Sequence, residues 1–326
     1  MQIPPLGRIL KLYLSNIFLY IFAILLFRTL PFYTNYLSSA AQQTILYLFF
    51  GYISLSPFYY LKYAKEDTTN KSFIFLCAIQ KTFTQITNTE ISPHRKIYSW
   101  TSEEKVSALF LLVKIFYLPL MINFAHNNIS DLKNIVSNIE WYSFLLILIF
   151  TVDTLIFAFG YVFEAPFLQN VVKSVEPTFF GWFVTLICYP PFNSIVGKYI
   201  PWGANDYSAF QNTNLTFILH ITVITLLTIY VLASVALGTK ASNLTNRGIV
   251  TKFPYSVVRH PAYISKNLAW WLTLLPVINL PFALGMAIWS FIYFCRAITE
   301  ERHLEKDPAY KEYCSKVKYR FIPGII

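Results

Sequence analysis

The chain has 326 residues, 56% hydrophobic, 18% aromatic and 13% charged, with a formal net charge of +10. That charged fraction is about half of what a soluble globular domain carries, which excludes a water-borne protein. Helices of ~20 apolar residues cross a ~30 Å hydrocarbon layer with every backbone hydrogen bond made internally, so the expected class is an all-α, polytopic integral membrane protein.

Apolar stretches run over approximately 12–30, 44–61, 106–124, 141–163, 179–196 and 215–237, giving six predicted spans. Arg8 and Lys11 precede the first, and small residues follow it near Ser38 to Ala41, a faint likeness to a secretory signal. The run from Leu12 to Phe27 exceeds the apolar core of such signals, so a retained span is expected. In the loop from Lys62 to Lys105, the patch Phe73 to Ile79 reads either as a short piece lying on the membrane surface or as plain linker. Thr101-Ser102-Glu103-Glu104 has the form of a capping box that starts the third span. The sequon at Asn128 falls in a predicted outside loop. Lys114, Asp153 and His220 fall inside spans, where ionisable groups are costly; a structural pairing of Lys114 with Asp153, or of either with nearby backbone, is the expectation for the first two. Two shorter apolar pieces, 268–280 and 282–298, meet at Pro276 to Pro281 with too few polar residues for an independent loop. They predict a tight helical hairpin and about eight hydrophobic helices in all.

With the N-terminus inside, Arg8, Lys11, Lys62, Lys65, Lys71, Lys81, Arg95, Lys96, Lys105, Lys173 and the basic residues of the sixth loop and tail share one face, against Arg28, Lys133 and Lys198 on the other. Both termini are therefore expected in the cytoplasm, in a plasma or inner membrane if bacterial and the endoplasmic reticulum if eukaryotic. This bias accounts for the positive charge without nucleic acid. Cys77, Cys188, Cys295 and Cys314 show no CxxC spacing and read as apolar filler, with no metal site expected. Residues 1–240 are read as an N-terminal bundle and 241–326 as the region that carries chemistry.

From Gly248 to Asn267 the chain reads GIVTKFPYSVVRHPAYISKN, a mixture of cations, an imidazole and phenols suited to an anionic or nucleotide-like ligand. Pro254 and Pro261 bias Phe253 and His260 away from helix, so the backbone here is expected to be extended and rigid. The second cluster is RAITEERHL. Arg296 and Glu300 are four residues apart and share a helix face, so they either pair or hold opposite ends of a ligand. The hairpin returns both clusters to the same membrane face. In the tail that follows, Tyr310, Tyr313, Tyr319 and Arg320 either close over such a site or anchor an interfacial helix.

RHPAY at Arg259 to Tyr263, the acidic pair Glu300 and Glu301, and the closing YxxY and FIP elements together resemble the isoprenylcysteine carboxyl methyltransferases and the related phospholipid methyltransferases. The resemblance covers about the last 80 residues. It implies S-adenosylmethionine in a cytoplasmic pocket and a lipidic or lipid-anchored acceptor entering from the bilayer. By that resemblance Arg247, Gly248, Ile249, Val250, Tyr255, Arg259, His260, Pro261, Ala262, Tyr263 and Glu300 line the cofactor site. Arg296 then holds the acceptor through charge-assisted hydrogen bonds. Transfer to an ionised carboxylate needs no base, whereas an amine acceptor must first lose a proton, for which His260 or Glu301 is the candidate. Both acceptors stay open. The chain departs from the family pattern at Ser265, Phe253 and Asp307, each standing where a glycine is usual, which puts close backbone approach in doubt there.

A competing resemblance is to membrane sterol reductases, whose NADPH-binding ending EYCSKVKYRFIP also fits; Lys266 stands where those enzymes usually carry aspartate. A transporter or structural protein that keeps the C-terminal fold is the third reading; no internal repeat supports it.

Overall fold

The computed structural model describes residues 5–63, 70–87, 99–135 and 140–325. Its regular structure is helical apart from two-residue extended pieces at Ser174–Val175 and Thr245–Asn246. The chain divides into two compact units, Met1–Asn123 with Glu164–Val175, and Phe124–Phe163 with Glu176–Ile326.

The first unit holds α1 (Leu6–Thr29), α2 (Pro31–Thr34), α3 (Ser39–Tyr63), α4 (Lys71–Thr87) and the start of α5 (Ser102–Ile135). Lipid gives no hydrophobic drive to helix association, so close packing and interhelical hydrogen bonds must supply it. Here Asn16 of α1 does so: its amide nitrogen donates to the Tyr60 hydroxyl of α3 at 3.0 Å, and its oxygen accepts from Ser72 of α4 at 2.8 Å. The patch at 73–79 is thus part of a packed 17-residue helix and not linker. Lys65, Arg95 and Lys96 of the same predicted loop lie outside the described residues. The capping box forms, with Glu104 N–H donating to the Thr101 hydroxyl at 3.3 Å and Thr101 N–H to the Glu104 carboxylate at 2.9 Å. The Lys114 ammonium lies over the rings of Tyr20 and Phe110.

The second unit continues from the end of α5 through α6 (Trp141–Val162), α7 (Phe179–Leu186), α8 (Phe192–Gly197), α9 (Thr213–Leu237), α10 (Pro261–Leu274), α11 (Leu280–Leu304) and α12 (Pro308–Lys316). Leu146 and Ile149 of α6 interlock with Leu219, Val223 and Leu227 of α9, which recur at four-residue spacing along one face, and with Ala269 of α10. Two glycines permit contacts that no other residue would. A Cβ at Gly160 would stand 2.1 Å from the Ala241 carbonyl oxygen, and one at Gly285 would stand 1.7 Å from that of Pro201.

Six helices, α1, α3, α5, α6, α9 and α11, are long and apolar enough to cross a membrane, and the chain is an integral membrane protein. The stretch 179–196 is not one span. It is α7 and α8, eight and six residues long, separated by a turn at Pro190-Pro191, and at ~1.5 Å rise per residue neither reaches across hydrocarbon. The hairpin of α10 and α11 forms as expected, but α10 begins at Pro261, so the end of the RHPAY motif is its first turn. Two further expectations are corrected, for Asp153 and Asn128, and His220 is accounted for. Asp153 accepts from Tyr230 (2.6 Å) and Ser234 (2.5 Å) of α9, not from Lys114. His220 stacks on Tyr142 with ring centres 3.6 Å apart and its Nε2 lies 3.3 Å from the Ser208 carbonyl, so a packing role absorbs it. Asn128 is helical, not in a loop, and donates to Thr154 at 3.2 Å.

Candidate functional site

Every residue singled out in the two C-terminal clusters belongs to the second unit. Pro261 occupies the first turn of α10, where its missing N–H costs nothing, and His260 before it is non-helical, as the residue preceding proline should be. The freed backbone is used: Arg259 N–H donates to Tyr319 O at 3.0 Å and His260 N–H to Arg320 O at 2.8 Å. The tail is thus latched onto the RHPAY segment. Glu301 of α11 is the centre of this latch. It is 2% exposed, with Arg259 Nε at 3.2 Å and His260 Nε2 at 3.2 Å from one oxygen and Arg320 Nε at 2.7 Å from the other. A carboxylate met by two guanidinium groups and an imidazole holds these elements together.

One turn earlier on α11, Arg296 is 7% exposed and faces a different set of groups. Its guanidinium donates to Asn243 Oδ1 at 2.6 Å and lies 5.1, 5.4 and 5.9 Å from the ring centres of Tyr263, Tyr189 and Tyr293. Among the described residues no carboxylate pairs with it. Asn243 is held in turn, with its backbone N–H (2.7 Å) and its side-chain amide (3.0 Å) both donating to the Tyr161 hydroxyl. Arg296 and Glu300 do not pair either. The Tyr263 hydroxyl donates to Glu300 Oε2 at 2.5 Å while the ring of the same tyrosine faces Arg296. One phenol therefore lies between the buried Arg296 guanidinium and an exposed carboxylate.

On the carboxylate side, Gly248 adopts φ +99°, which only glycine reaches without strain, and Lys240 Nζ lies 3.2 Å from where its Cβ would be. Ile249 and Tyr255 pack on Tyr310, Tyr313 and Val317, and the Tyr313 hydroxyl donates to Tyr255 O at 2.7 Å. Tyr310 and Tyr313 thus form the tail's attachment to the loop. The three departures from glycine cost little in this structure. Phe253 points outward, 59% exposed. Ser265 is buried with its hydroxyl bonded to Pro261 O at 2.7 Å, and Asp307 caps α12 while accepting from Asn246 at 3.0 Å.

The model of the phospholipid methyltransferase family matches residues 212–311. Over this segment the chain is similar to phospholipid methyltransferases. The match starts at Asn212, the N-cap of α9, one helix earlier than the resemblance read from the sequence, and contains every candidate residue from Gly248 to Glu301. It ends inside α12, so Arg320 and the strip that latches on Arg259 and His260 lie outside the matched residues. No curated protein and no solved structure matches the chain.

Sequence reasoning missed Asn243 and Tyr189, which reach Arg296 from other parts of the chain, Tyr293, one turn before it on α11, and Tyr161, which holds Asn243. It also missed Glu176, a buried carboxylate that accepts from Thr178 N–H at 3.0 Å and from Arg302 at 3.0 Å, with His303 Nδ1 3.4 Å away. Glu176 ties the entry of α7 to the end of α11 beside Glu300 and Glu301. Burial raises its pKa, but the bonds from His303 and Thr178 outweigh it and hold the group at about 2, against an ordinary 4.5. Because the folded form binds its proton less readily than the unfolded chain, this carboxylate stabilises the fold above pH 4.5. That contribution should drain away as pH falls from 4.5 toward about 2. Melting temperature in detergent should therefore drop more steeply across that window in wild type than in Glu176→Gln; parallel curves would exclude the assignment.

Proposed function

We propose that this protein transfers a methyl group from S-adenosylmethionine to an acidic, membrane-borne acceptor, with the cofactor on the Glu300 side of Tyr263 and the acceptor at Arg296. The observation that carries this reading is the Arg296 guanidinium, buried inside the matched segment with no carboxylate partner among the described residues. Taking a cation out of water is costly unless an anion meets it, and aromatic faces return only part of that cost. An anionic acceptor supplies that anion. An ammonium acceptor would meet repulsion from Arg296, so the acid is preferred over the amine.

The residues on the other side fit the cofactor. Among the described residues, the second oxygen of Glu300 and the backbone N–H groups of Ile249 and Val250 have no protein partner. A free carboxylate oxygen suits an ammonium or ribose hydroxyls, and free N–H donors suit a carboxylate or a purine ring. S-adenosylmethionine, when bound, supplies a methyl on a positively charged sulfonium. The protein's part is then to hold an already ionised acid in line and keep water out, which Arg296 and the tyrosine walls are built to do. Glu301 and His260, engaged with each other and with two arginines, serve as the frame of the site in this reading and not as its base.

The same reading takes α10 and α11 as a membrane hairpin and the cofactor pocket as cytoplasmic, with both termini on that side, following the distribution of basic residues. Equilibrium binding of S-adenosylmethionine and NADPH to the full chain in detergent tests it. Wild type should bind S-adenosylmethionine and not NADPH, and Glu300→Ala should bind it at least about 10-fold more weakly, the loss expected of one charge-assisted hydrogen bond. Preference for NADPH would move the protein to the reductase reading, and binding of neither would end the enzymatic one.

A further inference from the structure

A second cation, Lys266, lies near Arg296, one turn beyond the RHPAY segment on α10. Lys266 follows Tyr263 by three residues and precedes Trp270 by four, so the three side chains share one face of α10. Lys266 sits ~4.5 Å further along the helix than Tyr263. Its ammonium lies 4.5 Å from the ring centre of Tyr230, 5.3 Å from that of Phe150 and 5.4 Å from that of Trp270. Its nearest oxygen is the Tyr230 hydroxyl, at a long 3.4 Å. That hydroxyl is already committed as donor to Asp153 at 2.6 Å, and the other Asp153 oxygen is taken by Ser234. Asp153, across a phenol, and Asp206 both lie near enough to offset part of the lysine's charge, but neither accepts one of its protons. Among the described residues no carboxylate lies within ion-pair distance of Lys266.

An ammonium has three donors and is strongly hydrated in water. In a membrane bundle, one long hydrogen bond and three ring faces leave most of its hydrogen-bonding capacity unused. The walls connect it to Arg296: Trp270 meets Tyr293 with ring centres 5.2 Å apart, and Tyr293 faces both Tyr263 and the Arg296 guanidinium. A continuous set of packed aromatic rings therefore links the surroundings of the two cations.

We propose that Lys266 binds a second anionic oxygen group, phosphate or carboxylate, of the acceptor lipid, and that it selects acceptors carrying such a group in addition to the acid held by Arg296. This rests on the methyl-transfer reading for the name acceptor; the binding itself is measured without it. A lipid with a single acidic group needs only Arg296. A lipid with more anionic oxygens engages both cations, and its loss on removal of Lys266 is correspondingly larger.

The test is native mass spectrometry of the full chain released from phosphatidylcholine nanodiscs doped with phosphatidic acid or, separately, with oleate. Wild type should retain phosphatidic acid over phosphatidylcholine. Lys266→Met should lower that retention about 10-fold, the expected worth of a charge-assisted hydrogen bond, while Lys266→Arg keeps most of it. Oleate retention should change less than about 2-fold in Lys266→Met and fall in Arg296→Met. Should Lys266→Met fail to fold, Lys266→Gln carries the same comparison. The proposal is overturned if Lys266→Met retains phosphatidic acid like wild type, if both lipids suffer equally, or if inorganic phosphate alone displaces the lipid, which would make the site one for free anions. S-adenosylmethionine binding, measured on the same samples, reports separately on the methyl-transfer reading.

Discussion

Arg296→Met is expected to lower methyl transfer to acceptor by at least about 30-fold while leaving S-adenosylmethionine affinity within about 2-fold of wild type. The methionine keeps the length and apolar stem of the side chain, so the cage of Tyr189, Tyr263 and Tyr293 is preserved and only the charge is withdrawn. Removing one partner of a buried charge pair costs about 2–5 kcal/mol, and each 1.4 kcal/mol is a factor of ten. The cofactor side is spared because Tyr263 separates Arg296 from Glu300. Incorporation of labelled methyl into a membrane lipid extract, with cofactor binding measured in parallel, checks both halves. Unchanged incorporation would remove Arg296 from the acceptor site, and an equal loss of cofactor affinity would show that the two sides of Tyr263 are one pocket.

Glu301→Ala should be the most damaging change to the folded state. It leaves the Arg259 side chain, 11% exposed, and His260 beside it without their shared acceptor and frees Arg320, the tail's side-chain tie. Breaking a buried ion pair from one side costs about 3–5 kcal/mol. Arg320 is 37% exposed and regains water, so the expected loss lies toward the lower end of that range. A fall in melting temperature on the order of 10 °C should follow, with new protease cleavage in the segment after α12. Equal melting and equal tail protection in the variant would mean that the backbone bonds to Tyr319 and Arg320 suffice as the latch.

The functional reading of Glu301 shows where a sequence motif is informative and where it is not. An acidic pair at the end of a helix offers two equivalent carboxylates to a reader of the sequence. In the structure adjacent residues on a helix point ~100° apart, and that rotation alone sends Glu300 toward the Tyr263 hydroxyl and Glu301 into the cluster with Arg259, His260 and Arg320. Likewise Ser265, Phe253 and Asp307 look like obstacles where glycine is usual, yet one is self-bonded, one points out and one is a helix cap.

The sequence by itself determined that this is a helical membrane protein, where most of its long helices run, that a hairpin follows the RHPAY segment, and which two clusters meet at its open end. Those features follow from hydropathy, proline restriction and helical spacing, which act over a few residues and are legible locally. The break of 179–196 at Pro190-Pro191 is legible in the same local way. Tertiary structure alone decided that Asp153 answers to Tyr230 and Ser234, and that Tyr189, Asn243 and Tyr263 gather around Arg296. Each of these depends on side chains far apart in the chain arriving at one place. Packing density and the need to satisfy buried polar groups set that arrival, and neither leaves a periodic trace in the order of residues.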